Sequence, residues 1–170
     1  MVKFLSKFIK EDVDLANLTK LALKESKKNR IVKLARNNAE GLAYVGIAGA
    51  ALGLFQDQNI ESVLEGAKQA YLASIPFMIL ANTIHFPKYN DPIHRANVID
   101  KSIHATEKPG TYLLTASIID SGIFALSAWV AHLYNSQASI GFGAKVGLLY
   151  SVAETIEWIL KGEDYKKKLK

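Results

Sequence analysis

Cysteine is absent from all 170 residues, which excludes disulfides, thiolate metal sites and cysteine nucleophiles and leaves the compartment open. No GxSxG elbow, Walker loop, dinucleotide glycine fingerprint or nucleophile triad occurs, so no enzyme class is indicated. Lysine and arginine are missing from residues 57–65 and 135–139, and residues 69–86 contain no Lys, Arg, Asp or Glu. Arginine is also missing before Arg30 while acids stand there, which speaks against a mitochondrial transit peptide. Lys7, Lys10, Glu11 and Asp12 interrupt the start before any apolar core develops, so no secretory signal is expected. The net charge of +5 is not accompanied by aromatic residues interleaved with the basic ones, and no nucleic-acid partner is expected.

What the chain has is segregation. A mean hydropathy of +0.08 hides four apolar blocks, at about 39–55, 69–86, 111–134 and 140–160, with the charges gathered between them. A soluble bundle interleaves the two at helical spacing instead. Residues 111–134 carry one formal charge, Asp120, and residues 140–160 carry Lys145, Glu154 and Glu157; the short polar link 135–139 folds one onto the other. Both reach the roughly 20 residues that cross a hydrocarbon core about 30 Å thick. Block 39–55 is the shortest and is rich in small residues, with Gly49 and Gly53 forming a GxxxG pair suited to close helix packing in lipid. Block 69–86 has Pro76 near its centre, which predicts a kink, with Tyr71 and His85 at interfacial depths.

The predicted fold class is therefore all-α: a polytopic helical membrane protein with four transmembrane helices in a domain spanning residues 39–160. Residues 1–38 read as basic amphipathic helices. Phe4, Leu5, Phe8 and Ile9 oppose Lys3, Lys7 and Lys10 in residues 1–10, which suits an interfacial helix at anionic headgroups or a helix packed on the protein's own body. Asp12 or Asp14 caps a second helix expected over 15–37. Pro87, Pro92 and Pro109 break the connection 87–110 around a surface helix at 93–106, and residues 161–170 form a basic cytoplasmic tail.

Charge placement tests the topology. Of the 21 Lys and Arg residues, ten precede Gly41, four lie in 87–110 and five follow Leu160, against two, Lys68 and Lys145, near the other side. This alternation is what the positive-inside rule predicts for four spans with both termini cytoplasmic, in the cell membrane or an organellar inner membrane. Asp120 at mid-span costs about 3 kcal/mol, while nine large apolar side chains of the same block return about 0.5 kcal/mol each, so insertion stays favourable.

Folding the last two blocks about the middle of their link puts position 120 level with 155, so Asp120 and Glu154 are expected at one depth. Helical steps place Gly143, Gly147, Tyr150 and Glu154 on one face, and Asp120 on a small polar face with Ser117. Gly143 and Gly147 then serve helix packing. The polar residues serve assembly, through bonds to neighbouring helices or to a partner, or transport, because buried carboxyls relay protons or cations. His94, Asp100 and His104 supply metal-ligand chemistry in the 87–110 connection, but no HxxxH or ExxH spacing accompanies them. No cofactor is indicated. The expected function is a non-enzymatic subunit or scaffold of a membrane complex, touching the bilayer, anionic headgroups and protein partners or further copies of itself. A proton-coupled carrier or ion-conducting subunit using Asp120 and Glu154 is the first alternative, followed by a membrane-bound lipid enzyme and a soluble helical bundle.

Overall fold

The computed structural model describes residues 15–27, 29–134 and 139–169. The interfacial helix expected at 1–10, the caps Asp12 and Asp14 and most of the 135–139 link lie outside them. Within the described residues the chain is all-α, with six α-helices, one 3-10 turn and no strand.

Helix α1 spans Leu15–Ser26 and α2 spans Arg30–Asp57. The single basic helix expected over 15–37 is thus divided, and its second part continues into the first apolar block. Asn29 makes the division: its backbone is extended (ψ 126°) and its Oδ1 accepts the Ile31 N–H at 2.8 Å, satisfying a donor at the start of α2. The acidic stretch 57–65 likewise shrinks to a two-residue turn. Gln58 takes the left-handed conformation (φ 54°), Asn59 accepts the Ser62 N–H at 2.8 Å, and α3 runs over Ile60–His85 with Glu61 in its first turn. A 3-10 turn, Phe86–Lys88, leads to α4, Pro92–Glu107, which Asp91 caps through the Ile93 N–H (3.0 Å) and Pro92 starts. Pro109 opens α5, Pro109–His132. The last helix, α6, spans Ile140–Leu169, so the expected tail continues the same helix for more than two turns.

Helices α2, α3, α5 and α6 form an antiparallel bundle. Their basic ends meet: Lys33 Nζ donates to Tyr89 O (3.0 Å) and Asn90 Oδ1 (3.1 Å), and Lys161 reaches Glu40 across α2 and α6. There α1 and α4 pack with the end of α6 around Leu18, Ala22, Ala96, Ile99 and Ile103, joined by Tyr165 and Leu169. Helix α4 is therefore buried along one side against protein. The bundle's own core holds Val45, Ala48, Ala70, Phe124 and Val146. Small residues set the helix separations. A Cβ on Gly49 would overlap the Gly66 backbone, one on Gly53 the Ser62 backbone, and one on Gly143 would stand 2.5 Å from Phe124 O.

Pro76 lies inside α3, where a neighbour completes the ladder. Ser127 of α5 donates to Ala73 O (2.5 Å) and accepts the Phe77 N–H (3.1 Å), the two groups an unbroken helix would pair with each other.

Among the described residues two helices, α2 and α5, are long and apolar enough to cross a membrane, and only 28% and 22% of their most apolar stretches are buried within the protein. Helix α3 has Glu61, Glu65 and Lys68 near its start and polar Gln69, Asn82, Thr83 and His85 in its uncharged part, and α6 carries Lys145, Glu154, Glu157 and Lys161.

Candidate functional site

The α5–α6 pair places acids in the bundle interior. Ser117 Oγ and Ser151 Oγ are 2.9 Å apart, and Gly147 packs on the Asp120 and Ser121 backbone. Asp120 is thus level with Gly147, not with Glu154: α6 sits about two turns further toward the basic end than the midpoint of the link predicts. The seats of Gly143 on Phe124 and of Gly147 on Asp120 mark this register, not the middle of the loop.

Asp120 and Glu154 nevertheless converge. Side chains lean toward the N-terminus of their own helix, so on antiparallel helices Asp120 leans toward the basic end and Glu154 away from it. The two carboxyls lie close enough for their charges to interact. Asp120 is 8% exposed and its Oδ2 has no hydrogen-bond partner. Glu154 Oε1 accepts the Trp158 indole N–H at 3.0 Å.

A belt of phenols and an indole surrounds the pair. Tyr112 stacks on Trp158 with centroids 6.1 Å apart, and Tyr150 lies against Phe124 (5.2 Å) and edge-on to Tyr44 (6.2 Å). Both Tyr112 and Tyr150 feel the charges of Asp120 and Glu154. Toward the basic end, Glu40 bonds Arg36 at 2.7 Å and Lys161 at 3.5 Å, and Lys161 also pairs with Glu157. Burial lowers the proton affinity of the Lys161 ammonium, and Glu40 offsets part of that. Glu157 is thus an ion-pair partner with a side chain only 19% exposed.

No protein-family model, curated protein or solved structure matches the chain.

Of the residues singled out from the sequence, Asp120, Glu154, Tyr150 and Ser117 stand in this one interior cluster, with Gly143 and Gly147 at the contact that forms it. Gly49 and Gly53 lie away from it, in the α2–α3 contact. His94, Asp100 and His104 are not gathered. About 240° of helix separates His94 from Asp100, and among the described residues no group of three or more His, Asp or Glu could hold a metal. His94 stacks on His85 (5.9 Å), where burial depresses its proton affinity, and His104 lies 3.9 Å from Glu107. Sequence reasoning missed Tyr112, Ser151, Trp158 and Tyr44. Trp158 is four residues beyond Glu154, a spacing that signals a same-face pair; the others become neighbours only through the register.

Proposed function

We propose that the chain is an integral membrane protein with four spans, α2, α3, α5 and the first two thirds of α6, both ends of the domain lying on the basic, cytoplasmic side. It serves as an embedded non-enzymatic subunit or scaffold of a membrane complex. One observation carries this reading: the sizes of inner and outer residues are inverted. The bundle interior is lined by Ala48, Ala70, Ala73, Ala128 and the contact glycines, while Ile47, Ile79, Leu114, Ile118, Leu126 and Ile156 are each more than half exposed. In water each such side chain forgoes about 1.5–3 kcal/mol of burial. In lipid the outward apolar face costs nothing, and small inward residues let backbones approach. The low burial of α2 and α5 supports the same reading, since the core helices of a soluble bundle are mostly covered. The basic end supports anionic headgroups as the adjoining surface.

Alkaline washing should leave the protein in membranes. Because the chain has no cysteine, single cysteines placed at Gln58 and Lys101 report sidedness with an impermeant maleimide without background. Opposite labelling is expected; equal labelling in sealed vesicles refutes the topology. Purification in mild detergent as a lone monomer, with no partner and no second copy, refutes the subunit role.

The carboxyl pair favours a second reading, a proton or cation relay. Under it, Asp120→Asn abolishes proton flux in liposomes, and unchanged flux discards it.

A further inference from the structure

We infer that Arg95, with Lys33 beside it, forms a seat at the basic end of the bundle for one phosphate group, that of a bilayer lipid headgroup; this rests on the membrane reading above. Arg95 stands at the end of the first turn of α4. Its Nε donates to Tyr89 O at 2.7 Å, and its guanidinium lies over the Tyr89 ring, 5.3 Å from the centroid. Lys33 Nζ, from α2, reaches the same carbonyl oxygen at 3.0 Å and Asn90 Oδ1 at 3.1 Å. Cations from two helices thus meet at one oxygen, their nitrogens no further apart than those two bonds laid end to end. Tyr89 is buried, and its hydroxyl accepts from Asn37 Nδ2 at 3.1 Å, so the ring beneath the guanidinium is fixed in place.

The rest of this guanidinium is unfilled. Arginine carries five N–H donors in a planar fork, and Arg95 uses one of them. Among the described residues neither terminal nitrogen is hydrogen-bonded; Nη2 is shut off from solvent, whereas Nη1 is not. No carboxylate pairs with Arg95 there either. Asp91 caps α4, and Glu40 is held by Arg36 and Lys161. Glu25 of α1 and Tyr165 of α6 lie in its field without bonding it, and Lys161 adds a further cation. Arginine keeps its proton even when half-buried, so the site calls for an anion. A phosphate diester has two free oxygens that match the end-on pair Nη1 and Nη2, a bidentate fit that an ammonium cannot give. The neighbours favour a lipid as its source: Ile31 and Val32 are exposed in the same turn of α2 as Lys33, and Ile84 is exposed in the last turn of α3. Acyl chains cover such a rim; a soluble phosphate does not.

The test uses the full chain in maltoside micelles, which contain no phosphate. Thermal unfolding is followed by circular dichroism as dioctanoyl phosphatidylglycerol or, separately, inorganic phosphate is added. A ligand that binds the native state raises the melting temperature with its concentration. The lipid should raise it saturably, with one lipid retained per chain in native mass spectrometry, and inorganic phosphate should need at least tenfold more for the same rise. R95Q should abolish both the rise and the retained lipid. R95K, which keeps the charge without the fork, and K33Q should each raise the half-saturating concentration at least tenfold, while K101Q, an exposed lysine of the same helix, should match the wild type. R95Q also loses the Tyr89 bond, so R95K decides the matter if R95Q does not fold. No rise in the wild type, a rise that R95Q keeps, or wild-type half-saturation in R95K or K33Q overturns the seat; alkaline washing and maleimide labelling still decide the membrane reading on their own. Inorganic phosphate acting as well as the lipid overturns the headgroup as the source.

Discussion

Ser127→Ala tests how α3 tolerates its proline. The Ser127 hydroxyl makes two bonds, to Ala73 O at 2.5 Å and from the Phe77 N–H at 3.1 Å, at a site only 4% exposed. Neither backbone group can turn to water when the hydroxyl is removed. A net hydrogen bond contributes about 0.5–1.5 kcal/mol, and a buried polar group left unpaired costs about 1–3 kcal/mol, so S127A should destabilise by about 2 kcal/mol. The value of the bridge depends on Pro76, whose ring obstructs the turn before it and which has no N–H for Leu72 O. In a Pro76→Ala background the Phe77 N–H can close onto Ala73 O, and S127A should then cost no more than about 0.5 kcal/mol, a coupling of about 1.5 kcal/mol. The assay is reversible unfolding of the four proteins of the cycle in mixed micelles titrated with SDS, followed by far-ultraviolet circular dichroism. Equal costs of S127A with and without Pro76 would show that the hydroxyl does not repair the proline break, and the account of α3 would fail.

Three further outcomes follow from packing, charge and backbone conformation. Gly147→Val should cost about 1–3 kcal/mol or prevent folding by pushing α6 off the Asp120 backbone, whereas Gly122→Ala, with nothing within 4 Å of the added carbon, should gain about 0.5–1 kcal/mol in the same unfolding assay. Asp100→Asn should raise the melting temperature at pH 7: burial pushes the Asp100 carboxyl above its ordinary value of 3.8, so the native state holds that proton more tightly than the unfolded chain and loses stability as pH rises through the raised value. Its advantage should vanish well below pH 3.8, where the Asp100 carboxyl is neutral in the native and the unfolded chain alike, and an advantage that persists there would refute the assignment. Gln58→Gly should stabilise the α2–α3 turn by about 0.5–1 kcal/mol, since Gln58 alone among the described non-glycine residues has positive φ.

Helix content and the interior face of α6 were legible because period and residue size carry them. Asp120 and Glu154 stood out as the acids within two otherwise apolar blocks, and helical steps placed Tyr150, Gly143 and Gly147 beside Glu154. The α1–α2 break was not legible: Asn29 lies within a run of lysines whose periodicity continues on both sides, and a single cap outweighs it. The extent of α3 was hidden because acids at a helix start resemble an acidic loop. Spacing alone could not reveal Ser127 as the partner of the Pro76 turn, 50 residues away in sequence, nor Gly66 and Gly162 as seats for other helices. The histidines of 87–110 show the opposite failure. Ligand chemistry was present in the sequence, but helix α4 fans those side chains apart.

The displaced register of α6 ties the site to the base of the molecule. Eight residues of slip correspond to about 12 Å, enough to carry the end of α6 out of the bundle and onto α4. There Gly162 packs on the Ser102 backbone and Tyr165 and Leu169 join Leu18, Ile99 and Ile103. The same displacement carries Glu154 about two turns below Asp120, a gap that the leaning side chains narrow, and sets Trp158 against Tyr112. The basal contact and the carboxyl pair are therefore two consequences of one helix position. Gly162→Leu should unseat α6 from α4 and, four residues away, shift the emission of Trp158, while the equally long Leu at open Gly141 should not. A large loss of stability in G162L with Trp158 emission unchanged would separate the two and show that the bundle alone holds the register.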